Sequence, residues 1–262
     1  MATFAAGNYY MFGEHINWLE TIDSTNNEAF RNLSTAPHGA VWAARFQTAG
    51  RGQKGNRWES AAGENSTFSI LLRPQFLLPE HQFMISKISA LAVCDLLCIY
   101  QLEATIKWPN DIYVEEKKIQ GMLIEHFLSG AHLSASIVGI GINLNQRHFA
   151  SNAPNPTSVL LQTGVRYDPE SALNALLAFL EIRYNELLEG AWDEINRAYH
   201  HRLYRLDQWA TYIRCATNTP FEAKIIGVDP CGCVVMERRS GQKERFAFKE
   251  IIYDNPFGHN PS

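Results

Sequence analysis

The stretch ATIKWPNDIYVEEKKIQGMLIEHF, residues 104–127, and the segment HLSASIVGIGINLN at 132–145 decide the fold class of this chain. The first is rich in β-branched and aromatic residues on either side of a short polar segment from Glu115 to Lys118, which predicts two or three strands with a hairpin at that segment. The second is apolar on both faces at its centre, which is typical of a buried strand. Both segments therefore predict a β-sheet.

Strands and helices alternate irregularly around this sheet. Thr25 and Glu28 have the spacing of a capping box, which predicts the start of a helix after the first strand. Gly190 divides the last helical stretch into two. The predicted strands are 16–22, 40–46 and 66–74, and the predicted helices begin at 23, 83 and 169, the last stretch extending to about 206. This order predicts an α+β fold.

The composition changes near residues 207–214. Residues 220–251 form short strand-like runs separated by the turn signals Asp229-Pro230 and Ser240-Gly241, a pattern typical of a small all-β barrel of about 50 residues. We therefore expect two domains, at 1–210 and 211–262.

The overall charge argues against a nucleic-acid-binding protein. The 262 residues include 23 Lys and Arg against 27 Asp and Glu, a formal charge of -4. The chain shows no signal peptide, and no stretch of about 18 uncharged apolar residues that would cross a membrane. The five cysteines are scattered, without the pattern of a disulfide framework. We expect a soluble cytoplasmic protein that binds neither DNA nor membrane.

The segment AGRGQKGNRW, residues 49–58, has the composition of an anion-binding loop. Its three glycines let backbone N–H groups approach an anion closely, and its three cations match a phosphate. It lacks the spacing and the Gly-Lys-Ser ending of a P-loop. Taken alone, the segment is equally compatible with a solvated surface loop.

Three further segments each allow a structural and a functional interpretation. DSTN (23–26) is compatible both with a helix cap and with ligand binding, since a helix N-terminus offers free N–H donors. KWPNDIYV (107–114) is an ordinary polar turn or the polar edge of a cleft. Gly139 and Gly141 lie on one strand face, where two glycines leave a groove for a ligand, a bulge or a packing partner.

Five segments in order carry a family resemblance: DSTN, QTAGRGQKGNRW (47–58), KWPNDIYV, KIQGMLIE (118–125) and GIGINLN (139–145). With the barrel that follows, they resemble the biotin protein ligases over nearly the whole chain. The resemblance implies a mixed β-sheet flanked by helices, related to lipoate ligases and class II aminoacyl-tRNA synthetases, with a small C-terminal SH3-like β-barrel. It also implies ATP and biotin as substrates, Mg²⁺, and a biotin carboxyl carrier protein whose lysine accepts biotin from biotinyl-5′-AMP.

The same resemblance implies site residues. The catalytic residues would be Arg51, Lys118 and Asp111, the last as a Mg²⁺ contact or an aid to deprotonating the incoming lysine. The biotin site would consist of Ser24, Thr25, Gln47, Gly50, Arg51, Lys118, Gly121, Gly139 and Gly141, with the first three at the ureido ring. The ATP and adenylate site would consist of Arg51, Lys54, Arg57, Trp58, Asn110, Lys118 and Asn143. The resemblance assigns no residue as an established metal ligand.

The chain departs from the family at two points. Many members have Arg where this chain has Gln53 and Asn56, which leaves open which loop side chains contact the ligand. The segment before Ile16 is too short for the N-terminal DNA-binding domain of bifunctional members, so we expect the ligase-only type. Monomers and edge-strand homodimers are both compatible with the sequence. The alternative functions are a lipoate or octanoate ligase or transferase of the same superfamily and a non-enzymatic nucleic-acid-binding module.

Overall fold

A seven-stranded mixed sheet forms the larger part of the molecule in a computed structural model that describes residues 12–53, 56–150 and 155–254. The strand order is β1-β2-β3-β7-β6-β5-β4. The β1–β2 pair is parallel and all the other pairs are antiparallel. The strands are β1 Ile16–Ile22, β2 Val41–Gln47, β3 Ser66–Leu72, β4 Ala104–Lys107, β5 Asp111–Val114, β6 Lys117–Ser129 and β7 His132–Ile142. The predicted hairpin is confirmed, with its turn at Glu115 and Glu116.

Helices cover both faces of this sheet. The helices are α1 Thr25–Arg31, α2 Phe83–Ile99, α3 Val159–Thr163, α4 Pro169–Leu188 and α5 Trp192–His201. Strand residues alternate between the two faces, so Ile70 belongs to the main core with α2 and α4, while Leu71 packs beneath α1 in a smaller cluster. The mixed sheet flanked by helices confirms the predicted fold class.

The capping-box prediction at α1 is wrong in detail. Ser24 is the N-cap residue, and its side chain forms no capping hydrogen bond. Thr25 is instead the first helical residue, and its backbone N–H and hydroxyl both donate to Gln47 Oε1, at 2.8 and 3.3 Å. Thr25 and Asn26 are therefore directed toward neighbouring strands, whereas the Asp23 carboxylate accepts from Asn27 and Arg31 of its own helix.

The C-terminal part is a five-stranded antiparallel sheet of the order β11-β10-β9-β8-β12, which fits the SH3-like domain that the sequence predicts. Its strands are β8 Trp209–Arg214, β9 Thr219–Val228, β10 Val234–Arg238, β11 Lys243–Phe246 and β12 Ile251–Tyr253. Strand β8 lies in the segment where the composition changes, so the sheet begins at Trp209. The division into domains between 210 and 211 falls inside this strand and stays a prediction.

Helix α2 is the one described helix that is long and apolar enough to be a candidate membrane span, but it contains Lys87 and Asp95 and is therefore not an uncharged stretch. The segment Pro79–Ile99 has a mean hydropathy of 1.7 over its most apolar 18 residues, and 67% of these residues are buried inside the molecule. It is the central core helix, packed between α4, α5 and the sheet. The five cysteines are all free, as expected.

Candidate active site

A cavity of about 120 Å³ lies on the α1 face of the sheet. On this face, three strands change from large apolar side chains beneath α1 to polar residues or glycine beside the cavity. Leu71, Ile137 and Phe127 are apolar beneath α1, whereas the next residues on the same face are Ser69, Gly139 and Glu125. The predicted site residues that line the cavity are Ser24, Thr25, Gln47, Arg51, Arg57, Trp58, Asp111, Lys118, Gly121, Gly139 and Gly141.

One end of the cavity is a largely buried network of hydroxyl and amide groups that ends at the carboxylate of Glu125. Ser69 Oγ lies 2.8 Å from Thr25 Oγ1 and 2.7 Å from Asn26 Oδ1. Asn26 Nδ2 donates to Glu125 Oε2 at 2.9 Å. Gln47 is tied to the same network through Thr25. Hydroxyl and amide groups supply both donors and acceptors here, which suits a ligand that carries both.

The strand glycines make room for two side chains. Gly121 and Gly141 are cross-strand partners on β6 and β7, and the Trp58 ring lies against both. A Cβ at Gly141 would lie 2.3 Å from Trp58 Cε2, and a Cβ at Gly139 would lie 1.8 Å from Asn26 Oδ1. Side chains at these positions would therefore displace the groups that form the cavity wall.

Arg51 is held beside the polar network by a carboxylate. Its guanidinium donates to both Glu125 oxygens, at 2.7 and 3.1 Å, and to Asn27 Oδ1 at 3.0 Å. Glu125 thus connects Arg51 to Asn26. This bidentate geometry is the one that a guanidinium also offers to a phosphate.

Lys118 is another of the three described cations that line the cavity, with Arg51 and Arg57. Its Nζ lies 2.8 Å from Asp111 Oδ1, and both side chains are about one-quarter exposed. The Lys118 backbone is fixed separately, since its N–H donates to Asn155 O and its carbonyl accepts from Thr157 N–H. Arg51, Lys118 and Asp111 line the same cavity, which brings the three predicted catalytic residues together.

The described part of the glycine-rich segment is a tight loop. Arg51 and Arg57 form an isolated antiparallel bridge, Gly52 N–H donates to Asn56 O, and Trp58 N–H donates to Gly50 O. Gln53 and Asn56, the departures from the family pattern, both line the cavity. Lys54 lies outside the described residues.

Three predicted residues do not line the cavity. A Cβ at Gly50 would lie 2.4 Å from Trp58 O, so this position fixes the loop against its own end. Asn110 Nδ2 donates to Met122 O. Asn143 Nδ2 donates to Thr157 O at 2.9 Å, and its Oδ1 is buried without a partner among the described residues.

Sequence reasoning missed Asn26, Ser69 and Glu125 as members of the site. Asn26 lies within DSTN, and Glu125 ends the segment KIQGMLIE. Nothing in the sequence indicates that these two side chains contact each other. Ser69 interrupts the otherwise apolar end of STFSILL on a fully buried strand, which is a detectable signal because a buried hydroxyl needs a partner.

The side chains that line the cavity could bind a metal ion only together with ligands that are not part of the protein. No cluster of three His, Cys, Asp or Glu side chains suited to a metal occurs in the described residues. Asp111 is the sole carboxylate among the described residues that line the cavity. Mg²⁺ commonly uses one or two carboxylates together with substrate phosphates and water. A Mg²⁺ at Asp111 would therefore need further ligands from water or from a bound phosphate compound.

Comparisons with known proteins agree with this arrangement. The model of the biotin/lipoate A/B protein ligase family matches residues 18–143, which hold the whole seven-stranded sheet except the start of β1. The biotin–[acetyl-CoA-carboxylase] ligase of Paracoccus denitrificans is 35% identical over 236 residues, which are 86% of this chain and 95% of the relative. The bifunctional ligase/repressor BirA of Bacillus subtilis is 27% identical over 90% of this chain and 74% of the relative.

A solved structure extends the likeness to the C-terminal sheet. The biotin protein ligase from Aquifex aeolicus, in complex with biotin and ATP, has a TM-score of 0.77 and 26% identity, and the match covers 92% of this chain and 100% of that one. The fold and the site define a protein of the biotin/lipoate A/B ligase class. Within that class, the chain belongs to the biotin protein ligase family.

Proposed function

We propose that this protein is an ATP-dependent ligase that attaches biotin to one lysine of a biotin carboxyl carrier protein. In the first step, a biotin carboxylate oxygen attacks the α-phosphorus of ATP and pyrophosphate leaves, giving biotinyl-5′-AMP. In the second, the lysine amine attacks the carbonyl carbon of this mixed anhydride and AMP leaves, with loss of one proton from the amine. The relatives and the complex of the Aquifex protein with biotin and ATP support this assignment.

The observation that carries the proposal is the composition of one cavity. Neutral donors and acceptors from Thr25, Gln47 and Asn26 lie at one end, and the cations Arg51 and Lys118 line the same space. The ureido group of biotin has one carbonyl and two N–H groups, so it needs both kinds of partner. Its carboxylate must approach a polyphosphate, so it needs cations that offset their mutual repulsion.

Each polar group has a role in this proposal. Thr25, Gln47 and the buried hydroxyl of Ser24 bind the ureido ring. Gly139 keeps the Asn26 amide close to the sheet. Gly121 and Gly141 belong to the biotin slot, and the ring of Trp58, which lies against both, separates this slot from the adenylate side. Arg51 and Lys118 hold the carboxylate and the α-phosphate. Arg57, Lys54, Asn110 and Asn143 belong to the nucleotide side in this proposal.

Mg²⁺ would bind through Asp111 and supply positive charge to the phosphates. Asp111 would also be placed to accept the proton of the incoming lysine once its contact with Lys118 is exchanged. The five free cysteines favour the cytoplasm as the compartment of the reaction.

The test of the function is transfer to a carrier protein. Purified enzyme is incubated with ATP, biotin and a biotin carboxyl carrier domain, and lysine-linked biotin is detected with labelled streptavidin. A carrier whose acceptor lysine is replaced by Arg serves as the control. Labelling of the intact carrier alone is expected. Transfer of lipoate or octanoate without transfer of biotin would instead establish the alternative activity of the superfamily.

A further inference from the structure

A second cavity, of about 440 Å³, lies between α5 and strand β9, away from the site described above. Apolar side chains of the C-terminal sheet form one wall, namely Ile226, Val228 and Val235. Helix α5 forms the opposite wall, and Lys87 of α2 also borders the space. A cavity of this volume accommodates a small organic molecule.

Lys87 is a buried cation with an incomplete set of partners. Lys87 is 3% exposed, and its Nζ donates to Asn196 Oδ1 at 2.7 Å. The rings of Phe83 and Tyr199 lie with their centroids 5.6 and 5.5 Å from Nζ. Within residues 12–53, 56–150 and 155–254, Lys87 forms no ion pair, although an ammonium has three N–H donors.

The charges around the cavity do not neutralise Lys87. Asp229 lines the space, but its carboxylate already pairs with Arg245 and accepts from Cys233 N–H. Arg197, His200 and His201 also border the cavity. Burial lowers the pKa of Lys87 to about 8, and Asp229 offsets that effect only in part. An anion in the cavity would satisfy the ammonium.

The strand that forms the apolar wall is locally distorted. The pairing of β9 with β10 shifts between Val235 and Met236, so Ile226 is the extra residue of a bulge beside Gly227. Gly227 has φ +153°, and an added Cβ would lie 3.5 Å from His200 Nδ1. Bulges occur preferentially beside binding sites, where they redirect side chains.

We propose that this cavity binds a small carboxylate with an apolar body, with its carboxylate at Lys87 and its apolar part against Ile226, Val228 and Val235. Nothing in the ligase reaction requires this site, so the proposal does not depend on the proposed function. Because the cavity joins α2 and α5 to the C-terminal sheet, a bound molecule would link the two parts of the protein.

A pair of probes tests the proposal. Hexanoate and hexanamide have the same size, but only hexanoate carries a charge. Binding is measured by titration of the protein while NMR follows the methyl groups of Ile226, Val228 and Val235. Hexanoate is expected to shift these methyl resonances and to bind at least about tenfold more tightly than hexanamide, because a hydrogen bond to a charged partner adds that much.

Two variants separate this site from the ligase cavity. Lys87→Met keeps the length of the side chain and should remove the preference for hexanoate, whereas Lys118→Met should leave it unchanged. Equal binding of both probes, unshifted methyl resonances of Ile226, Val228 and Val235, or an unaltered preference in Lys87→Met would each overturn the proposal. Since the methyl shifts are read in the wild-type protein, they test it even if Lys87→Met fails to fold.

Discussion

Replacement of Lys118 by Met is the sharpest probe of the proposed chemistry. Lys118→Met removes one positive charge from the cavity and preserves most of the volume of the side chain. The backbone contacts of Lys118 with Asn155 and Thr157 do not involve its side chain, so they remain. The lost contact with Asp111 is partly exposed and contributes at most about 1 kcal/mol to stability. The fold should therefore persist.

The effect on the first step should be much larger. Two unit charges 4 Å apart at an effective dielectric constant of about 20 interact by about 4 kcal/mol. That free energy corresponds to about a thousandfold in rate. Removal of one preorganised charge-stabilising group typically slows an enzyme by about 10²–10³-fold. We expect adenylate formation at saturating ATP and biotin to slow by about that factor.

The assay is the rate of biotinyl-5′-AMP formation in a single turnover, with the thermal midpoint as the measure of folding. Lys117→Met is the matched control, because Lys117 is the preceding residue of the same strand and its side chain is exposed. It should react at the wild-type rate. If Lys118→Met also formed adenylate at nearly the wild-type rate, Lys118 would be a hairpin lysine without a part in the reaction.

Three further predictions follow from the described contacts. Gly139→Ala should weaken biotin binding by about 5- to 150-fold in calorimetry, because the new methyl group displaces Asn26 at a cost of about 1–3 kcal/mol; unchanged affinity would remove Asn26 from the site. Biotin should raise the melting temperature and biotin with ATP should raise it further, whereas lipoate should have little effect; a larger shift with lipoate would make the substrate assignment wrong. Burial lowers the pKa of His126 to about 4, below its unfolded value of about 6.5. As the pH falls, the unfolded state therefore binds this proton before the folded state does. The free energy of unfolding should fall by up to about 3 kcal/mol between pH 6.5 and 4. In His126→Gln, the free energy of unfolding measured with urea should depend less on pH over this range. An unchanged pH dependence would show that His126 is not its origin.

The sequence predicts the fold well where a pattern is local. Periodicity and turn residues predict the strand at 16–22, the hairpin after Val114 and the core helix from Phe83, and they predict a strand at 66–74 that the structure ends at Leu72. Strand β8 could not be predicted from the sequence, because it lies where the composition changes and because the strands that it pairs with, β9 and β12, come later in the chain. The short helix α3 is too brief for its periodicity to be read from the sequence.

The site divides in the same way. Two glycines spaced by one residue predict a groove, but a pattern cannot say that the Trp58 ring and the Asn26 amide lie against these glycines. The buried network from Ser69 through Asn26 to Glu125 joins three elements that are 43 and 99 residues apart in sequence. Such contacts depend on strand order and register, which local sequence does not specify.

Biotin-dependent exchange of labelled pyrophosphate into ATP tests the central claim most directly, because it reports reversible formation of the adenylate without any carrier protein. The wild-type protein should catalyse exchange when biotin is present, and lipoate at the same concentration should support little or none. Exchange that is absent with biotin, or that lipoate supports better than biotin does, would contradict the assignment of this protein as a biotin ligase.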